Sequence, residues 1–290
     1  MNTWGKPITV ITPRPWRIRG QSLGGNRPLV MAILNVTPDS FHDGGRYVSL
    51  DSALRRCEEM RDQGANLIDI GGESTRPGAE PVDEAEEMNR VLPVILALTK
   101  RFDIPVSIDT MKSGVARAAL DAGASILNDV SAMTADPLML EVPQSFGAGI
   151  ILGHMQGTPR SMQNSPSYHD APREVREFLM ERVRVLAAMG IPKDHIAVDP
   201  GIGFGKRLED NYSLIENLET LESIGCPILL GHSRKSFIGK THGLENSDRL
   251  IPSVAVALYA ALKGVSILRV HDVKETAEAL RMLEAIRKGG

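Results

Sequence analysis

The stretch Leu29-Val-Met-Ala-Ile-Leu-Asn-Val36 runs through six apolar residues before its first polar one. A strand with one wet face alternates apolar and polar side chains. An unbroken run therefore fits a strand buried on both faces, as in a parallel sheet covered by helices. Working outward, similar short runs rich in Val, Ile and Leu occur at Asn66–Gly71, Pro105–Asp109, Ser125–Asp129, Gly149–His154, His195–Asp199, Pro227–Gly231 and Ile267–His271. Helical periodicity is predicted between them, over Leu50–Gln63, Val82–Lys100, Ser113–Asp121, Arg173–Met189, Asp210–Ser223 and Ser247–Leu262, with Lys274–Arg287 closing the chain. Leu138–Ser145 is the least regular helical segment.

Each helix must carry the chain back to the same end of the sheet, which makes the strands parallel. Eight such units spread over about 250 residues predict an α/β fold of the (β/α)8 TIM-barrel type. The chain then divides into an N-terminal extension, residues 1–28, expected as a β-hairpin at the barrel bottom, and a barrel over 29–290.

Composition narrows the function. A hydrophobic share of 42% with 24% charged residues suits a folded globular chain. The net charge of -3 offers no basic footprint, so neither nucleic acid nor an anionic membrane surface is an expected partner. No run approaches the ~20 apolar residues of a membrane span, and the first twenty residues contain three prolines and no continuous apolar segment. Cys57 and Cys226 give no disulfide framework, which suits a reducing, cytoplasmic setting.

Active sites of such barrels lie where strands end. Reading the residues at and after each run gives Asn35-Val-Thr-Pro-Asp-Ser, Gly72-Glu-Ser-Thr-Arg76-Pro-Gly, Asp109-Thr-Met-Lys112, Asn128-Asp129, His154-Met-Gln156-Gly, Asp199-Pro-Gly-Ile-Gly, His232-Ser-Arg-Lys235 and Arg269-Val-His271-Asp272. Asp109, Asn128 and Asp199 supply acceptors that need a partner if buried, and a flat heterocycle with an amidine-like edge would provide one. Arg76, Lys235, Arg269 and His271 supply donors suited to phosphate or another oxyanion. The loops Thr37–Arg46 and Glu73–Pro81 are long enough to close over a substrate.

Blander readings stand beside these. Asp129, Ser113 and Asp272 have the pattern of helix caps. His154 fits a packing role as well as a functional one. Pro200-Gly-Ile-Gly-Phe-Gly-Lys206 departs from the phosphate-loop pattern and fits a tight turn, and the acidic run Asp83–Glu87 fits a solvated first turn favoured by the helix dipole.

Taken together, the blocks Ala32-Ile-Leu-Asn-Val-Thr-Pro-Asp-Ser-Phe41, Ile68-Asp-Ile-Gly-Gly-Glu-Ser-Thr-Arg-Pro-Gly78, Ser107-Ile-Asp-Thr110, Asn128-Asp-Val130, His154-Met-Gln-Gly-Thr-Pro159, Asp199 to Lys206, Ser233-Arg-Lys235 and Arg269-Val-His-Asp-Val273 resemble the dihydropteroate synthase family, in order, over about residues 29–288. The resemblance implies a transferase joining a pterin pyrophosphate to p-aminobenzoate. It implies that Asp109, Asn128, Asp199 and Lys235 hold the pterin. Asn35, Arg76, Arg269 and His271 would handle the pyrophosphate, with Asn35 also touching Mg2+. Phe41, Thr75, Pro77, Phe204 and Ser236 would border p-aminobenzoate, and a homodimer through the late helices is implied.

Departures from the family pattern are Ala32 and Pro252, where glycine is common, and His42, where serine is frequent. The rival readings are a corrinoid-linked methyltransferase, which would not need Ser233-Arg-Lys235 with Arg269 and His271, and a catalytically silent pterin-binding homologue. From the sequence, Arg269→Ala is expected to cut turnover at least tenfold, about 1.4 kcal/mol, with the fold intact.

Overall fold

The computed structural model describes residues 10–36, 46–74, 78–243 and 249–289. An antiparallel hairpin, β1 (Pro15–Ile18) and β2 (Gln21–Gly24), precedes eight parallel strands: β3 (Leu29–Asn35), β4 (Leu67–Gly71), β5 (Val106–Asp109), β6 (Ile126–Asp129), β7 (Gly149–Gly153), β8 (Ile196–Asp199), β9 (Leu229–Leu230) and β10 (Ile267–Val270). Their order is β8-β7-β6-β5-β4-β3-β10-β9. The two ends of that order meet in a bridge between Val198 and Ile228, where Val198 N donates to Pro227 O at 2.9 Å. The result is the expected TIM barrel.

Side-chain parity divides the barrel. Odd-numbered β3 and β4 residues such as Met31 and Leu67 point inward; even-numbered Val30, Ala32, Ile68 and Ile70 point outward into the main core formed with the helices. The inward residues at the strand starts, Leu29, Met31, Leu67, Ile126, Ile151, Ala197, Leu229 and Ile267, form a separate apolar plug. Trp16 and Ile18 of the hairpin complete it from below, and the Trp16 indole donates to His195 O at 2.9 Å. The hairpin is therefore part of the barrel floor.

Around the strands lie α1 (Arg46–Asp62), α2 (Glu84–Arg101), α3 (Ser113–Asp121), α4 (Ala171–Ala188), α5 (Leu208–Glu216), α6 (Ser236–His242), α7 (Leu250–Leu262) and α8 (Val273–Lys288). Asp83 caps α2 by accepting from Glu86 N, and Asp170 caps α4 by accepting from Arg173 N. Pro252 falls in the first turn of α7, where its missing N–H costs nothing.

Three segments differ from the periodicity. Asp210–Ser223 is two elements: α5 stops at Asn217, whose side chain donates back to Ser213 O, and a 3-10 segment runs from Leu218 to Ile224. Leu138–Ser145 becomes two 3-10 turns, each opened by a proline, Pro137 and Pro143. The seven-residue α6, too short for a periodic signal, was not foreseen.

Candidate active site

The same parity that builds the plug builds the site. Two residues beyond each floor residue, on the same inward face, come Asp69 after Leu67, Asn128 after Ile126, Asp199 after Ala197 and Arg269 after Ile267, with Asp109 following Ser107. The lower half of the barrel is thus apolar and the upper half charged.

Arg269 sits at the centre of that layer. Its Nε donates to Asp69 Oδ2 at 2.6 Å and its Nη2 to Asp109 Oδ2 at 2.7 Å. Burial alone would lower the guanidinium pKa, but the charges of Asp69 and Asp109 outweigh it and hold it above its ordinary value. This revises the sequence expectation for Arg269→Ala, since the change would strand two buried carboxylates. Asp109 is pushed above the usual carboxylate range by burial, with Arg269 drawing it partly back.

Asn128 Nδ2 donates to the same Asp69 oxygen at 3.2 Å. Asp199 Oδ1 accepts from Gly201 N at 2.8 Å, and burial raises its pKa against the pull of Lys235. Lys235 is the residue before α6; its amine donates to Ile202 O and lies 3.9 Å over the Phe204 ring. Burial pushes that amine down to about 8.

Beside the charges is an apolar wall: Val130, Met162 and Phe204, with Met111 and Met155 packed against them. Gly71 and Gly231 border these groups, where an added Cβ would make ordinary contacts with them. A Cβ on Gly71 would lie 3.8 Å from both Asn35 Oδ1 and Asp109 Cβ, and one on Gly231 would lie 3.5 Å from Asp199 Oδ2.

His271 closes the rim. Its backbone N donates to Ser233 Oγ at 3.2 Å, and its Nδ1 lies 3.2 Å from the same hydroxyl. Arg234, with φ +56, forks onto Asp272 at 2.9 and 2.6 Å, locking the turn that carries Ser233 and Lys235 to the start of α8. Asp272 accepts this fork and makes no side-chain cap bond, contrary to the cap reading.

The mouth thus unites Asn35, Asp109, Asn128, Asp199, Phe204, Lys235, Arg269 and His271, and Ser236 begins α6 beside it, exposed. Phe41, Thr75, Arg76 and Pro77, His42, and most of the proposed lid at Thr37–Arg46 lie outside the described residues. The base of the second loop is described. Lys112 Nζ donates to Glu73 Oε2 and Glu87 Oε2, both at 2.5 Å, while Glu73 Oε1 accepts from Val82 N at 3.1 Å.

Several alternatives resolve to structure. Asp129 is buried and accepts from Ser131 N, Ser131 Oγ and Met133 N, shaping the turn after β6. Ser113 is not a cap: its N–H donates to Asp136 Oδ2 at 2.8 Å. Glu87, read as solvated, is fully buried. His154 packs edge-on against Phe178 at 5.0 Å, with its Nδ1 3.0 Å from Lys206 Nζ. Burial lowers its pKa to about 3, so it is neutral.

Lys206 also donates to His154 O and Phe204 O, so the Pro200–Lys206 glycine-rich run is a structural turn. Gly201 there has φ +66, and a Cβ would fall 1.8 Å from His154 O, leaving room for glycine only.

The residues that sequence reading missed are Asp69, Glu73 and Glu87, and the Val130–Met162 wall. Asp69 was hidden inside an apolar run; its signal was its parity with Leu67.

A family model described as pterin binding enzyme matches residues 31–271. The dihydropteroate synthase of Escherichia coli strain K12 is 46% identical over 267 residues, covering 92% of this chain and 94% of that protein. The crystal structure of Yersinia pestis dihydropteroate synthase with a sulfonamide drug complex superposes with a TM-score of 0.89 at 46% identity, covering 94% of this chain and 99% of that one. Xanthomonas albilineans dihydropteroate synthase with 4-aminobenzoic acid gives 0.88 at 42%, covering 96% and 99%. The chain belongs to the pterin-binding enzymes and, within them, to the dihydropteroate synthases.

Proposed function

We propose that this transferase condenses 6-hydroxymethyl-7,8-dihydropterin pyrophosphate with p-aminobenzoate, giving 7,8-dihydropteroate and pyrophosphate in folate biosynthesis. The observation that carries the reading is one mouth with two chemically distinct sides. Asp109, Asn128 and Asp199 present acceptors beside an apolar wall, and Lys235, Arg269 and His271 present donors around them.

The acceptors hold the amino and ring N–H edge of the pterin, while the wall covers its face. The pterin methylene C–O bond breaks toward pyrophosphate, and charge growing on the leaving oxygens is met by Arg76, Arg269 and His271. Asp109 and Asp199, held close to the ring, stabilise positive character at the methylene until the arylamine attacks. Thr75, Pro77, Phe41, Phe204 and Ser236 border the arylamine.

A Mg2+ ion would neutralise the pyrophosphate. The donor set fits an ion that arrives with its substrate: Asn35 offers one amide oxygen near Asp109, and no group of three His, Cys, Asp or Glu side chains able to hold a metal occurs among the described residues. Mg2+ commonly keeps few protein ligands and takes the rest from phosphates and water.

Residues 29–290 form the catalytic barrel with 1–28 as its extension, and the enzyme works as a cytoplasmic homodimer. Exposed Ile251 on α7 and exposed Met282 and Ile286 on α8 support pairing through these helices. Free, buried Cys57 and Cys226 support a reducing compartment. No helix of the described residues is long and apolar enough to cross a membrane. Sulfonamides are expected to compete with p-aminobenzoate.

Thermal shift distinguishes the readings. Pyrophosphate with Mg2+ is expected to raise the melting temperature and methyltetrahydrofolate to leave it nearly unchanged. The reverse pattern would favour the corrinoid-linked rival.

Lys235 sets the alkaline limb of activity. Its amine must be protonated to donate, and its pKa is depressed to about 8, so kcat/KM for the pterin substrate is expected to fall as pH rises through about 8. In Lys235→Arg the guanidinium stays charged and that limb disappears. A fall at the same pH in a folded Lys235→Arg enzyme would show that another group titrates.

A further inference from the structure

Asp69 lies in the charged layer with Asn128, Asp199 and Arg269 and is fully buried. Its strand partner inside the barrel is Ile33, and the inward residue before it is Leu67, so an apolar side chain would suit the core here. Instead a carboxylate is present. Oδ2 accepts from both Arg269 Nε and Asn128 Nδ2, while Oδ1 has no hydrogen-bond partner among the described residues. A buried polar atom left unpaired costs stability, so the fold alone does not account for Asp69.

An ionised carboxylate can only accept hydrogen bonds. Whatever faces it on Asn128 must therefore be the amide NH2, and the Asn128 carbonyl oxygen is left to face the mouth as an acceptor. The same oxygen of Asp69 takes Arg269 side-on through Nε, leaving the guanidinium Nη1 edge beyond the Asp109 contact.

We propose that Asp69 is a positioning residue that sets the polarity of Asn128, acceptor outward, and the seat of Arg269, and so selects a ligand ring whose edge donates hydrogen bonds. This rests on the dihydropteroate synthase reading and adds to it a residue that need not touch the substrate.

Asp69→Leu removes the acceptor and keeps much of the shape. With no carboxylate oxygen to take Asn128 Nδ2 and Arg269 Nε, Asn128 is no longer held with its carbonyl outward, and its NH2 is free to face a ring that also donates. Asp69→Asn is the milder change, because an amide carbonyl in the place of Oδ2 still accepts from both. Asn128→Asp and the exchange D69N/N128D test the pairing directly: the first sets two carboxylates face to face, while in the exchange the amide now on β4 donates to the carboxylate now on β6, whose second oxygen faces the ligand as an acceptor.

The experiment measures equilibrium binding of 6-hydroxymethyl-7,8-dihydropterin and steady-state kinetics for the wild type, D69L, N128D and the exchange, with melting temperatures as the folding control. D69L is expected to bind the pterin about tenfold more weakly or worse, with the p-aminobenzoate KM within about twofold. N128D alone, with two carboxylates facing each other, is expected to bind worse than the exchange.

Wild-type affinity in a folded D69L, or an exchange no better than a folded N128D, overturns the proposal; if D69L does not fold, the comparison of N128D with the exchange decides. Failure of the wild type to bind the pterin would instead sink the functional reading.

Discussion

Arg269→Ala is expected to lose about 3–5 kcal/mol of stability, the cost of removing one partner from a buried ion pair, and to lower turnover about 10²–10³-fold in whatever fraction folds. Both effects have one cause. The guanidinium compensates Asp69 at 2.6 Å and Asp109 at 2.7 Å inside the barrel, and it supplies donors toward the leaving pyrophosphate. Arg269→Lys separates them: one ammonium retains the charge and much of the stability but cannot span both carboxylates as a fork, so turnover stays low. Denaturant melts alongside steady-state rates check this. A folded Arg269→Ala enzyme with unchanged stability would mean that the buried pair does not exist in solution.

Trp16→Ala tests the opposite end of the barrel. Trp16 is fully buried in the floor, and its indole donates to His195 O at 2.9 Å. Removing it leaves a cavity under the apolar plug and an unpaired carbonyl, with an expected loss of about 3–5 kcal/mol. The mouth is built at the other ends of the strands, so kcat and both KM values should match the wild type well below the melting temperature. A loss below about 1 kcal/mol would show that the hairpin lies on the barrel without sealing it. Altered KM values in the folded variant would show that the floor communicates with the site.

These two variants also mark what the sequence made legible. The barrel could be read because continuous apolar runs such as Leu29–Leu34 have one physical explanation, burial on both faces, and because their rhythm with helices leaves few topologies. Asp109, Asn128 and Asp199 could be placed at the mouth because they end apolar runs, and Arg269 because it opens the polar block Arg269-Val-His271-Asp272.

Asp69 could not be recognised in the same way. Within Leu67-Ile-Asp-Ile-Gly71 it interrupts the run without ending it, and only the inward parity revealed by the plug shows that it faces Arg269. Glu87 was misread for a related reason: helix periodicity gives no hint that Lys112, after a different strand, will cover it. The short α6 and the split after Glu216 reflect local capping and tertiary packing, which periodicity over a long window averages away.

The central claim is that one mouth holds a pterin pyrophosphate and an arylamine and joins them. Its most direct test is pyrophosphate release by the purified protein given 6-hydroxymethyl-7,8-dihydropterin pyrophosphate and Mg2+, with and without p-aminobenzoate. The account predicts release that requires the arylamine and is matched by formation of 7,8-dihydropteroate. A folded protein that binds pyrophosphate yet forms no dihydropteroate would contradict it and mark the chain as a silent pterin-binding member of its family.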